Sequence, residues 1–257
     1  MTTRLQTEQH FHDQQAQERS AYFAAHPEHL QVDVDWYLDH ESWVRPAFDL
    51  LGDVNGLSVL DYGCGHGMAG VLLARRGGRV TAFDLSGAYV EEARRRAEAN
   101  GVSERMVCVQ AAGEDLPFAD GAFDRIWGSA ILHHVDLHRG APELARVLKA
   151  DGHAVFCEPW GGNPLLEWAR RRLPYRGKHR SPDETPLREC DLVELRRHFA
   201  DVRVLPFQFL GMLRRLWPSG PVGTWLDRFD TALFRHWPAA RSLSRYVVLS
   251  LHGPRCI

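Results

Sequence analysis

No stretch of this chain stays apolar for anything near the ~20 residues that a membrane helix needs, so no integral membrane segment is expected. Cysteine is sparse. Cys64, Cys108, Cys157, Cys190 and Cys256 share no paired spacing, which excludes a disulfide framework and a cysteine zinc site. Reduced thiols in a cytoplasmic protein are the expectation, and no metal is expected. Net charge is nearly absent too, at −2 over 257 residues, so there is no electrostatic reason to bind nucleic acid. Lysine occurs only at Lys149 and Lys178; arginine carries the remaining positive charge, a composition effect without functional weight. Met1 to Gln17 is polar and glutamine-rich, unlike a secretory signal.

What is present is an ordinary globular balance, 44% apolar and 25% charged, in a length that suits one α/β core with additions. The middle of the chain alternates strand and helix signals, which implies a parallel sheet with helices on both faces. Strands are expected over 57–62, 79–84, 106–111, 123–129, 153–158, 202–209 and 244–252. Helices are expected over 69–76, from the Ser86 cap to Asn100-Gly101, and over 142–148. Three stretches fall outside this core: 1–45, helical and rich in aromatics and histidine; 159–190, rich in Pro, Gly and Arg; and 211–243, which carries Trp217, Trp225, Phe229, Phe234 and Trp237. Connections this long often act as lids or binding segments.

The most informative segment is Val59-Leu60-Asp61-Tyr62-Gly63-Cys64-Gly65-His66-Gly67. A short apolar run ends in an acid and breaks into glycines at alternate positions. That describes a strand entering a tight turn, where a ligand can lie against bare backbone and the first amides of a helix are unpaired. A second run, Val80 to Phe83, ends in Asp84, placed to accept hydrogen bonds from ribose hydroxyls. The turn also satisfies G-x-G-x-x-G from Gly65 to Gly70, but the strand ends at Tyr62. Counted from Gly63, the sixth position is Met68, which argues against a dinucleotide. An acid at Asp61 would repel a pyrophosphate and suits an ammonium group.

Four segments in order carry a family resemblance: Val59 to Gly67; Phe83-Asp84-Leu85-Ser86; Glu114-Asp115-Leu116-Pro117-Phe118 with Phe123-Asp124; and Leu132-His133-His134-Val135 with Ala145 to Gly152. Over roughly residues 40 to 160 the chain resembles class I S-adenosylmethionine-dependent methyltransferases, the group of ubiquinone/menaquinone-type and small-molecule O-methyltransferases. The resemblance implies an α/β, Rossmann-like, seven-stranded, mostly parallel sheet with helices on both faces and an added helical lid, its last strand pair close to antiparallel. It implies a lid over 1–45 and a methyltransferase domain over 46–257, with a cofactor-binding core at 46–160 and substrate-cap insertions at 159–190 and 211–243. S-adenosyl-L-methionine would be the cofactor, with Asp61, Gly63, Cys64, Gly65, Asp84, Leu85, Gly113, Glu114 and Ser129 around it. The family's usual adenine-binding acid falls at Ala112, so Glu114 or the Gly113 and Glu114 backbone must replace it.

In similar O-methyltransferases a histidine after the fourth strand and an acid after the fifth are assigned base roles. Those places fall on His133 or His134 and on Glu158, with His134 slightly favoured. Packing roles for all three stand beside that reading. The acceptor is expected to be a small, fairly apolar molecule methylated at oxygen, with carbon, nitrogen or a lipid quinone as alternatives. An NAD(P)-dependent oxidoreductase or a non-catalytic cofactor-binding partner are remoter readings. The run Arg170-Arg171-Arg172, Arg176, Lys178, His179, Arg180 suits a solvated face better than an anion clamp. The aromatic segment 211–243 suits a lid first, then a homodimer face or a patch resting on a membrane.

Overall fold

The computed structural model describes residues 3–163, 166–168, 172, 185–216 and 221–255. The basic run at 170–180, Arg172 apart, lies outside these residues, as do Trp217 and most of the 159–190 insertion.

Seven strands form one sheet in the order β3-β2-β1-β4-β5-β7-β6. They are β1 (Ser58–Tyr62), β2 (Arg79–Asp84), β3 (Met106–Gln110), β4 (Phe123–Ser129), β5 (Leu148–Pro159), β6 (Phe199–Phe207) and β7 (Tyr246–Pro254). β1 pairs in parallel with β2 and β4, while β7 runs antiparallel between β5 and β6. The order reverses direction at β1, where β1 leads out to β2 on one side and β4 lies on the other. In open α/β sheets such a switch point opens a crevice at the strands' carboxyl ends.

Helices are α1 (Thr3–Ala25), α2 (Val34–Asp39), α3 (Val44–Leu51), α4 (Met68–Arg75), α5 (Gly87–Ala99), α6 (Leu137–Val147), α7 (Asp191–His198) and α8 (Pro221–His236). Side-chain alternation along the strands splits the core into two layers. Val59, Val80, Ala82, Trp127 and Val155 pack with α3, α4 and α5 on one face. Leu60, Tyr62, Phe83, Ile126 and Phe156 pack with Leu144 of α6 and Leu192 and Leu195 of α7 on the other.

Several boundaries differ from expectation, among them the start of β5 at Leu148 instead of His153. α6 starts at Leu137, not Pro142, because Asp136 caps it by accepting from the His138 amide. Pro142 then sits inside the helix and removes one backbone donor from its ladder. β6 begins at Phe199, and β7 is displaced to Tyr246–Pro254. The described part of 211–243 is helical, with Trp225 and Phe229 of α8 exposed and stacked at 5.9 Å. Among the described residues no helix is long and apolar enough to cross a membrane.

Candidate functional site

The site grows out of the β1–α4 turn. Gly63, Gly65 and Gly67 all have positive φ, at 70°, 50° and 79°. Their surroundings differ. A Cβ at Gly63 would lie 2.3 Å from Ile131 Cγ1, whereas a Cβ at Gly65 would meet nothing within 4 Å. Gly63 is therefore a packing requirement, and Gly65 is the bare backbone turned to open space. The Cys64 amide donates to the Phe83 carbonyl at 2.8 Å, tying the turn to β2.

Two cavities meet at this turn. The first, about 350 Å³, is lined by Asp84, Leu85, Tyr89, Ala111 to Glu114 and His134, and is roofed by α1 through Leu5, Glu8, His12, Gln15 and Arg19. The second, about 320 Å³, is walled by Trp36, Tyr37, His40, Trp43 and Trp127, with Asp61 at its base. Gly63, Gly65, His66 and Ser129 line both.

Asp84 Oδ2 accepts from the Gly65 amide and Oδ1 from the Ser86 amide, each at 2.9 Å. Burial raises its pKa, and those amides oppose the rise. Asp61 is more exposed to the cost of burial. Its Oδ2 has no hydrogen-bond partner, and burial pushes the carboxyl up to about 7, with the Gly70 amide lowering it and Asp84 raising it. Trp43 Nε1, also walling the second cavity, is a buried donor without a partner. An acceptor and a donor left unsatisfied in one cavity match a ligand carrying both signs. His66 is held neutral, because burial and then Arg96 pull its pKa down to about 3.

At the adenine end expected for the cofactor, Gly113 is needed for space: a Cβ there would lie 2.2 Å from Tyr62 Oη. That hydroxyl donates to the Gly113 carbonyl at 3.0 Å. Glu114 is buried, accepts from the Asp136 amide at 3.0 Å, and is paired with Arg4 of α1.

The two neighbouring histidines part company. They sit in a short 3-10 turn, Leu132–His134, where successive side chains diverge by about 120°. His133 Nδ1 is 2.7 Å from Glu158 Oε2, and neither residue lines the two joined cavities. His133 borders a third cavity of about 370 Å³, with Leu187, Cys190 and Glu194 around it. His134 lines the first cavity, its Nδ1 3.1 Å from Glu8 Oε2. Ala130, between Ser129 and this turn, holds a positive φ of 54°, a strained backbone position at the cavity mouth.

Glu8 and His12 escaped the sequence reading, although Glu8-x-x-x-His12 puts both on one helix face. With His134 they form a group whose ligand-type atoms all lie within 4.8 Å of one another.

The family described as "methyltransferase domain" matches residues 60–156. That segment is similar to methyltransferase domains. With the sheet order it gives the chain a class I methyltransferase fold. The chain is 38% identical over 103 residues to a sarcosine/dimethylglycine N-methyltransferase of Halorhodospira halochloris, covering 39% of this chain and 37% of that protein. It is 39% identical over 117 residues to a demethylmenaquinone methyltransferase of Clavibacter sepedonicus, covering 45% and 46%. The matches thus span less than half the length of these curated relatives. Among solved structures, geranyl diphosphate C-methyltransferase from Streptomyces coelicolor A3(2), in complex with Mg2+, geranyl diphosphate and S-adenosyl-L-homocysteine, superposes with a TM-score of 0.59 at 21% identity, over 81% of this chain and 77% of that one. The 4+2 cyclase SpnF superposes at 0.54 and 21%, over 82% and 81%. The same fold thus carries differently named activities, and the reaction must be argued from the site.

Proposed function

We propose that the chain is an S-adenosylmethionine-dependent methyltransferase acting on a small, fairly apolar acceptor, at oxygen. The observation that carries this is the pair of cavities meeting at Gly63, Gly65 and Ser129, with Asp84 in one and Asp61, its Oδ2 unpartnered, in the other. The donor set fits the cofactor. Asp84 suits ribose hydroxyls, the Ala111–Glu114 wall suits the adenine, and Asp61 with Trp43 Nε1 suits the ammonium and carboxylate of the amino-acid end. Leu85 and Cys64 supply flanking walls. When bound, the cofactor brings an activated methyl group on a sulfonium.

The protein's own contribution is alignment and exclusion of water. α1 serves as the lid over the first cavity, whereas no described residue of 211–243 lines either cavity. A hydroxyl acceptor also benefits from a base. The proton falls to the His133–His134 pair: His133 has its orientation fixed by Glu158, and His134 has the position in the cavity wall.

Equilibrium titration with adenosylmethionine and with NAD(H) tests the cofactor, and tight NAD(H) binding without response to adenosylmethionine overturns it. Release of adenosylhomocysteine over an acceptor pool tests turnover. The bond formed in the product, read by NMR, separates oxygen from nitrogen and carbon acceptors.

A further inference from the structure

We propose that Glu8, His12 and His134 form a binding site for a divalent metal of the zinc type, which fastens α1 over the first cavity. Metal–ligand bonds of 2.0–2.2 Å in a tetrahedron place ligand atoms roughly 3.3–3.5 Å apart. Glu8 Oε2 lies 3.5 Å from His12 Nε2, which matches that spacing, and 3.1 Å from His134 Nδ1, slightly inside it. The third pair lies within 4.8 Å. Two imidazoles and one carboxylate are a donor set of intermediate softness, which favours zinc and its transition-metal neighbours over magnesium or calcium. All three residues line the first cavity, so a further ligand could reach the metal from it.

The location explains why a fastener is useful here. α1 is a long helix, yet only Leu5 and Ala16 are buried apolar residues on it. Among its other ties, polar ones are spaced along the rim: Arg4 to Glu114 and the His134 carbonyl, Asp13 to the Ser86 hydroxyl, Gln15 to Tyr89, and Ser20 to Glu92, with the Arg96 guanidinium over the Phe23 ring. Such contacts contribute little each against water. Two ligands come from α1 and the third from the turn after β4, so a metal would join lid to core directly. The metal site itself does not depend on the cofactor reading.

The test uses the full chain, stripped with chelator and titrated with Zn2+ by calorimetry and with Co2+ by visible absorption. One equivalent is expected, with the intense Co2+ bands of tetrahedral coordination and slowed amide exchange in α1. His12→Ala, on a helix outside the sheet, should weaken uptake more than ~100-fold, beyond the 10–100-fold that outer partners cost. Glu8→Gln should do the same, and circular dichroism checks that both variants fold. No uptake by the stripped chain, or equal uptake by His12→Ala, overturns the proposal, because any metal would then sit elsewhere or nowhere.

Discussion

Glu158 holds His133 from beneath the turn that carries it. One carboxylate oxygen lies 2.7 Å from His133 Nδ1, and the other accepts from the Ile131 and Leu132 amides at 2.9 Å each. The carboxylate is fully buried, so removing it strands two backbone donors and an imidazole together. Glu158→Ala should cost about 3 kcal/mol of stability, whereas Glu158→Gln, which keeps an acceptor, should cost clearly less. Denaturant unfolding of both variants measures this, and equal stability of Glu158→Ala and the parent would show that the pair does not organise the turn.

Asp61 predicts two opposed pH dependences. Its folded pKa, about 7, stands above the ordinary 3.8. Its contribution to apoprotein stability is therefore full below pH 3.8 and is lost as pH rises through 7. Cofactor affinity should move the other way, because the ionised carboxylate is the form that attracts an ammonium. Between pH 8 and pH 6 the affinity for adenosylmethionine should fall roughly tenfold. In Asp61→Asn both slopes should flatten; an unchanged binding profile in that variant would remove Asp61 from the ammonium site.

Asp84→Ala should weaken cofactor binding by ~1–3 kcal/mol if two ribose hydrogen bonds are lost. The Gly65 and Ser86 amides lose their acceptor as well, so a thermal melt of the apoprotein should fall alongside. Calorimetric titration that finds parental affinity would exclude the ribose role.

Two glycine substitutions separate packing from ligand contact. Gly113→Ala drives a methyl group against Tyr62 Oη and should cost ~1–3 kcal/mol of stability. Gly65→Ala meets no neighbour and costs only ~1 kcal/mol for its positive φ, but it places a methyl group where the cofactor should touch the backbone. Its binding loss should exceed its stability loss. The reverse ordering would mean that no ligand approaches Gly65.

The sheet, the β1 turn and Asp84 were legible because each rests on a local signal: alternate glycines, an acid ending an apolar run, and β-branched stretches between turns. The pairing of His133 with Glu158 followed from parallel neighbours, β4 and β5, ending at one level. Which of the two adjacent imidazoles faces the cavity beside Asp84 was not legible. A 3-10 turn sends consecutive side chains different ways, and nothing in His-His records the choice. Nor could the chain announce that Glu8 would lie against His134, 126 residues away, since that contact depends on how α1 docks. The helix start at Leu137 was hidden by Pro142, a residue that ordinarily marks a first turn.

β7 has a consequence for how this scaffold can diversify. Tyr246 stands in register with Pro159 on one side and Phe207 on the other, so a single row across three strands is the point of departure for both long excursions of the second half. That row lies two strands beyond the β1 bend. Selection can lengthen, shorten or recompose either excursion while the β1 turn and Asp84 on the far half of the sheet stay untouched.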